Sequence, residues 1–140
     1  MTGRRPAATL HAVTTGELPR GALEGVRRFN AGEFFEAHEA FEELLDAVES
    51  DARWELLVAL IQVAVGYHKC ASGHPGDRAM LEKGLAKLAP FADDAGGVAL
   101  EALRARVRSD LAALAAGTPA GTVLATPPRL TLATNADWSS

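Results

Sequence analysis

The sequence predicts an all-α fold, a compact antiparallel bundle of about five helices with an extended, Pro-rich C-terminal tail. Three observations predict it. Apolar residues recur at helical spacing in five successive segments, and a Gly, Asn, Ser or Pro signal closes each one. No stretch keeps the period of a strand except Arg129-Leu130-Thr131-Leu132, which serves equally well as extended coil. The connections are short, so neighbouring helices must run in opposite directions.

Taken in order, residues 1–16 read as a loose tail, residues 17–117 as one helical domain and residues 118–140 as a strap or tail. The first helix is expected from Pro19 to Asn30, with Pro tolerated in the first turn and Leu23, Val26 and Phe29 on one side. Asn30-Ala31-Gly32 stops it, because Asn and Gly accept the left-handed conformation that ends helices. The second, Glu33 to about Glu49, opens with carboxylates at the positive helix end and carries Phe34, Phe41, Leu45 and Val48. Asp51 is the expected cap of a third helix, about Ala52 to Ala71, which is apolar at nearly every position from Leu56 to Gly66 and so must be enclosed by others. Ser72-Gly73-His74-Pro75-Gly76 is a turn, and Asp77 opens a fourth helix with Leu81, Leu85 and Leu88 inward. The fifth spans about Val98 to Ala116 and stops at Gly117. Pro119, Pro127 and Pro128 forbid its continuation, while Leu130, Leu132 and Trp138 favour partial docking of the tail.

At 140 residues, with 48% hydrophobic and 23% charged, the chain suits one domain with a real core. Its net charge of −4 gives no support to a nucleic-acid-binding surface, which needs a basic excess. The most apolar run, Leu56 to Tyr67, is about twelve residues where a membrane span needs about twenty, so no membrane partner is expected. Arg4-Arg5 is followed by no long apolar stretch, which argues against an export signal. The single cysteine, Cys70, can form no internal disulfide, and a reducing cytoplasm is the expected location.

The informative segment is Phe34-Phe35-Glu36-Ala37-His38-Glu39-Ala40-Phe41-Glu42. On a helical wheel with Phe34 at 0°, Phe35, Ala37, Phe41, Leu44, Leu45 and Val48 fill one apolar arc, and Glu36 and Glu43 fall opposite. His38, at about 40°, and Glu42, at about 80°, lie inside that arc, with Glu39 at its edge near about 140°. A buried carboxylate is costly unless paired, and His38 one turn earlier is within reach of Glu42. On the third helix His68 lies among Leu57, Ile61, Ala64 and Val65, whereas Gln62 lies on another side beside Glu55 and Lys69, so the two cannot both point at one spot.

Two readings compete for these residues. In one, His38, Glu42 and Gln62 form a polar network that fixes helix register, and with Glu39 they are the candidate ligand-binding residues. In the other, His38 and Glu42 at i and i+4 share a cation to which His68 adds a third ligand. The segment lacks the second His of the zinc-protease pattern, and the chain lacks the paired Glu-x-x-His of di-iron bundles. Cys70 beside His68 and Lys69 could have a lowered pKa, although a lone Cys at a helix end is usually inert. Arg104, Arg106 and Arg108 read as surface charge complementary to the acidic second helix.

Phe29-Asn30-x-Gly32-x-Phe34-Phe35-Glu36-x-His38-Glu39-x-x-Glu42, followed by Leu60-Ile61-Gln62-x-Ala64 and His68, resembles the family domain of unknown function 309, over roughly residues 20–91. The chain departs from that pattern at Leu45, where the family often has Trp, and at His74, where it often has Asn. The resemblance implies a compact helical domain without an established reaction, whose shared polar residues map to His38, Glu39, Glu42 and Gln62. The expected function is a non-catalytic domain that binds a small ligand or a protein, with a homodimer as one expected form. The alternative is a metal-dependent enzyme with Glu39 or Glu42 as general base beside His38. No cofactor is specified by any motif.

Overall fold

The computed structural model describes residues 13–133 and is all-helical. Its elements are α1 (Ala22–Asn30), α2 (Phe34–Glu42), a 3-10 turn (Leu45–Ala47), α3 (Asp51–Ala71), α4 (Asp77–Leu88), a second 3-10 turn (Ala95–Gly97), α5 (Leu100–Ala115) and α6 (Ala120–Val123). The expected features of residues 1–12 and of Trp138 lie outside the described residues.

Helix α1 starts later than expected, because Pro19 and Arg20 form a hydrogen-bonded turn onto Ala22 and Leu23 before the helix proper. Ala22, Gly25, Val26 and Phe29 make its buried stripe. Its stop is as expected: Gly32 has φ +79°, its N–H donates to Phe29 O at 2.9 Å, and that of Glu33 reaches back to Arg28 O at 2.9 Å. The ends of α3 at Gly73 and of α5 at Gly117 repeat this pairing.

Helix α2 is shorter than the sequence suggests. It ends at Glu42 instead of about Glu49, and the chain turns through Leu44 into extended Val48. Glu39, Glu42, Glu43 and Asp46 are carboxylates three or four residues apart, at the negative end of a helix with no basic residue in its last turn. Leu44, Leu45 and Val48 still pack on the core, but from the turn.

Helix α3 is the central element. Leu56, Leu57, Ala59, Leu60, Val63, Ala64, Gly66, Tyr67 and Cys70 are all buried, as expected for an apolar helix contacted from several directions. Its cap is Ser50, whose Oγ accepts from Arg53 N–H at 3.2 Å; Asp51 is instead the first helical residue. Helices α2 and α4 make its largest contacts. The α4 contact is a close backbone approach: a Cβ on Gly66 would lie 2.7 Å from Leu81, and one on Gly84 2.7 Å from Val63. Phe29, Phe34 and Tyr67 join α1, α2 and α3, with ring centroids 5.1–6.0 Å apart.

The segment after Gly117 forms the short α6, a turn of helix the sequence did not suggest, and then an extended strap. Leu130 is only 3% exposed, and Asn30 grips its backbone on both sides: Nδ2 donates to Leu130 O at 2.9 Å, and Oδ1 accepts from Leu130 N–H at 2.7 Å. Leu132 makes a single antiparallel bridge to Val98, and Val13 a parallel one to Phe91. The alternation at Arg129–Leu132 thus yields one bridge rather than a strand.

Candidate functional site

The inward face of α2 is Phe34, Ala37 and Phe41, a stripe at i, i+3 and i+7 pressed on α1 and α3. Phe35 is not part of it. Its side is turned away from the core, leaving the residue 44% exposed, and this corrects the apolar arc read from the sequence. Phe35, at about 100° on the wheel, was the member that widened the arc; with it outside, Glu42 at about 80° is outside as well. Glu42 and Glu39 are both exposed, and no hydrogen bond joins Glu42 to His38.

His38 bonds to its own helix instead. Its Nδ1 lies 2.6 Å from Phe35 O, and since a carbonyl only accepts, Nδ1 is the donor and Nε2 is the ring nitrogen left for another contact. The imidazole packs edge to face on Phe35, with centroids 4.8 Å apart at 66°. From α3, His68 approaches the same phenyl ring at 5.2 Å and 55°. His38 and His68 are therefore brought together, with Phe35 as the group they share.

Gln62 stands apart from them. It lies about 120° from His68 around α3, on the side that meets α4, where it lines a groove of about 350 Å³ with Lys83, Ala86 and Lys87. Its Oε1 is buried there without a hydrogen-bond partner among the described residues. Glu39 lines a different hollow of about 220 Å³, between α1 and α2, with Glu24, Arg28, Glu36, Ala40 and Glu43. The four residues His38, Glu39, Glu42 and Gln62 thus do not converge on one buried network. Among the described residues no three His, Cys, Asp or Glu side chains are placed to hold a metal ion, so His38, Glu42 and His68 do not assemble as one ligand set.

A third hollow, of about 410 Å³, is lined by Val13, Asp51, Ala52, Glu55, Lys87, Pro90 and Phe91, and the pair Lys87–Glu55 at 2.6 Å crosses its edge.

The buried polar groups lie elsewhere. Tyr67 Oη donates to Asp110 Oδ2 at 2.6 Å, and Arg106 Nε donates to the same oxygen at 2.7 Å. Arg106 also donates to the carbonyls of Val123 and Thr126, fastening α6 and the strap to α5. Burial, then the bond to Asp110, pushes the Tyr67 hydroxyl well above its usual pKa. Arg104, 6% exposed, donates to Leu88 O and Phe91 O and so caps the end of α4, with Asp93 and Glu101 balancing its charge. The expectation of surface arginines facing the acidic helix therefore fails for Arg104 and Arg106. The sequence offered one signal for this network: Asp110 stands three residues after Val107, within the apolar repeat of the fifth helix.

Cys70 is 1% exposed, and burial, with Asp77 and Asp110 adding, pushes its thiol up to about 11. It is a packing residue rather than an activated thiol. No helix among the described residues is long and apolar enough to cross a membrane.

A family model described as a domain of unknown function (DUF309) matches residues 22–81, which run from the first residue of α1 into the first turn of α4. No curated protein matches the chain. The matched segment holds the whole of α1, α2 and α3, including Phe35, His38 and His68, and over that segment the chain is similar to the DUF309 family.

Proposed function

We propose that the domain is a non-catalytic binding module whose contact surface centres on Phe35. The observation that supports this is the ring arrangement on α2 and α3: a half-exposed phenyl held between the imidazoles of His38 and His68. Single exposed apolar residues are ordinary, but most are free to move. A ring already fixed by two neighbours loses little freedom when a ligand covers it. The flanking imidazoles add polar contacts, with His38 Nε2 the nitrogen available because Nδ1 is engaged. Glu39 and Glu42 lie along the same exposed side of α2 and form its acidic margin. Gln62 faces α4 and does not contribute.

A fragment library screened by ligand-observed NMR against the wild type and Phe35→Ala tests this reading. Hits that disappear in the variant, with its helical circular dichroism intact, are the expected result. The same hits in both proteins, or none in either, would sink it.

A further inference from the structure

The exposed side of α2 carries a charge as well as a ring. Residues 29–52 contain eight Asp and Glu and no Lys or Arg, against a whole-chain charge of −4, so the rest of the molecule is net positive by 4. All eight acids are exposed, and among the described residues only Glu33 has an ion-pair partner, Arg28. Arg28 of α1 is the one cation paired to this side among the described residues, and it is shared with Glu24; Arg104 and Arg106 serve α4 and the strap, Arg108 pairs with Glu101 and Lys87 with Glu55. Seven of the eight acids are left without an ion-pair partner among the described residues, beside a preformed aromatic anchor.

Resting on the reading of Phe35 as the contact centre, we propose that the partner of the α2 surface is a basic amphipathic segment of another protein. Phe35, Glu39 and Glu42 lie within about 60° of one another on the helix, and the carboxylates follow the ring by about 6 Å and 10 Å along the axis. A partner helix that sets one apolar side chain on Phe35 and two cationic ones four and seven residues further along matches that row. The apolar contact supplies position, and the charges supply encounter rate and discrimination. The same acidity repels phosphate backbones and anionic lipid headgroups, so a protein segment is favoured over nucleic acid or membrane.

The test uses two synthetic peptides of about 20 residues, long enough to form a helix, with Leu and Lys in that spacing or with Glu replacing every Lys. Binding to the full chain is read by fluorescence anisotropy. The Lys peptide is expected to bind the wild type, to weaken at least about tenfold with Phe35→Ala and with Glu39→Lys/Glu42→Lys, and to weaken further as salt rises. The Glu peptide should not bind. Lack of wild-type binding, or equal binding to the double variant, overturns the basic partner while leaving any fragment hits at Phe35, and hence the proposed function, standing. Full binding to Phe35→Ala reduces the contact to general charge attraction and overturns it too. The double variant leaves Phe35 and the core untouched, so a folding defect in Phe35→Ala would not block the decision.

Discussion

Tyr67, Asp110 and Arg106 illustrate what one residue contributes when it is buried with a partner. Asp110 is 6% exposed, and a hydroxyl and a guanidinium both donate to its Oδ2. Replacing Tyr67 by Phe keeps the ring packed on Phe29 and Phe34 but removes one donor, and should cost about 1–2 kcal/mol in urea unfolding. The raised Tyr67 and Cys70 groups also give stability a pH dependence on the alkaline side. In the unfolded chain the thiol releases its proton near about pH 9 and the phenol near about pH 10, whereas the folded protein holds both longer. Their contribution is complete below about pH 9 and declines as pH rises, with the Cys70 part gone above about 11. Urea midpoints measured across that range should fall, and in Cys70→Ala they should fall less. His38 shows the contrary case: it shields no buried charge, so His38→Ala should leave the urea midpoint nearly unchanged, within about 0.5 kcal/mol.

Among the elements, the pairing of α3 with α4 is the most exacting. Gly66 and Gly84 let the two backbones meet where any side chain would strike Leu81 or Val63. In an open helix Gly→Ala stabilises, by about 1 kcal/mol, but here overpacking opposes that gain. We expect Gly66→Ala to destabilise by about 1–3 kcal/mol, measured by denaturant midpoint, and a stabilised variant would show the helices free to separate. The early end of α2 belongs to this scale too. Helical periodicity continues in Leu44, Leu45 and Val48, so the sequence carries no break signal of the Gly or Pro kind. The break comes from accumulated like charge and from the chance for those three side chains to reach the core from a turn.

For the whole molecule, the strap decides how far the fold extends beyond the bundle. Leu130 is in the core, and Asn30 holds its backbone across one hundred residues of sequence. Leu130→Ala should cost about 2–4 kcal/mol, and Asn30→Ala about 1–2 kcal/mol, in thermal or urea unfolding. If both leave the melting curve unchanged, the strap adds nothing to stability. By itself the sequence determined the helical class, the five main segments, the enclosed position of α3 and the glycine stops, because periodicity and left-handed backbone are local properties read from neighbouring residues. It also determined that His68 and Gln62 point to different sides, since the helix repeat alone requires it. It could not determine which edge of α2 faces inward, because Phe35 is as apolar as Phe34 and only contact with α1 and α3 chooses between them. That choice moved Glu42 from a supposed buried pair to the surface and placed His38 and His68 around one exposed ring. The roles of Arg104, Arg106 and Asn30 were equally invisible, since each is set by a partner 11 to 100 residues away that tertiary folding alone brings within hydrogen-bond distance.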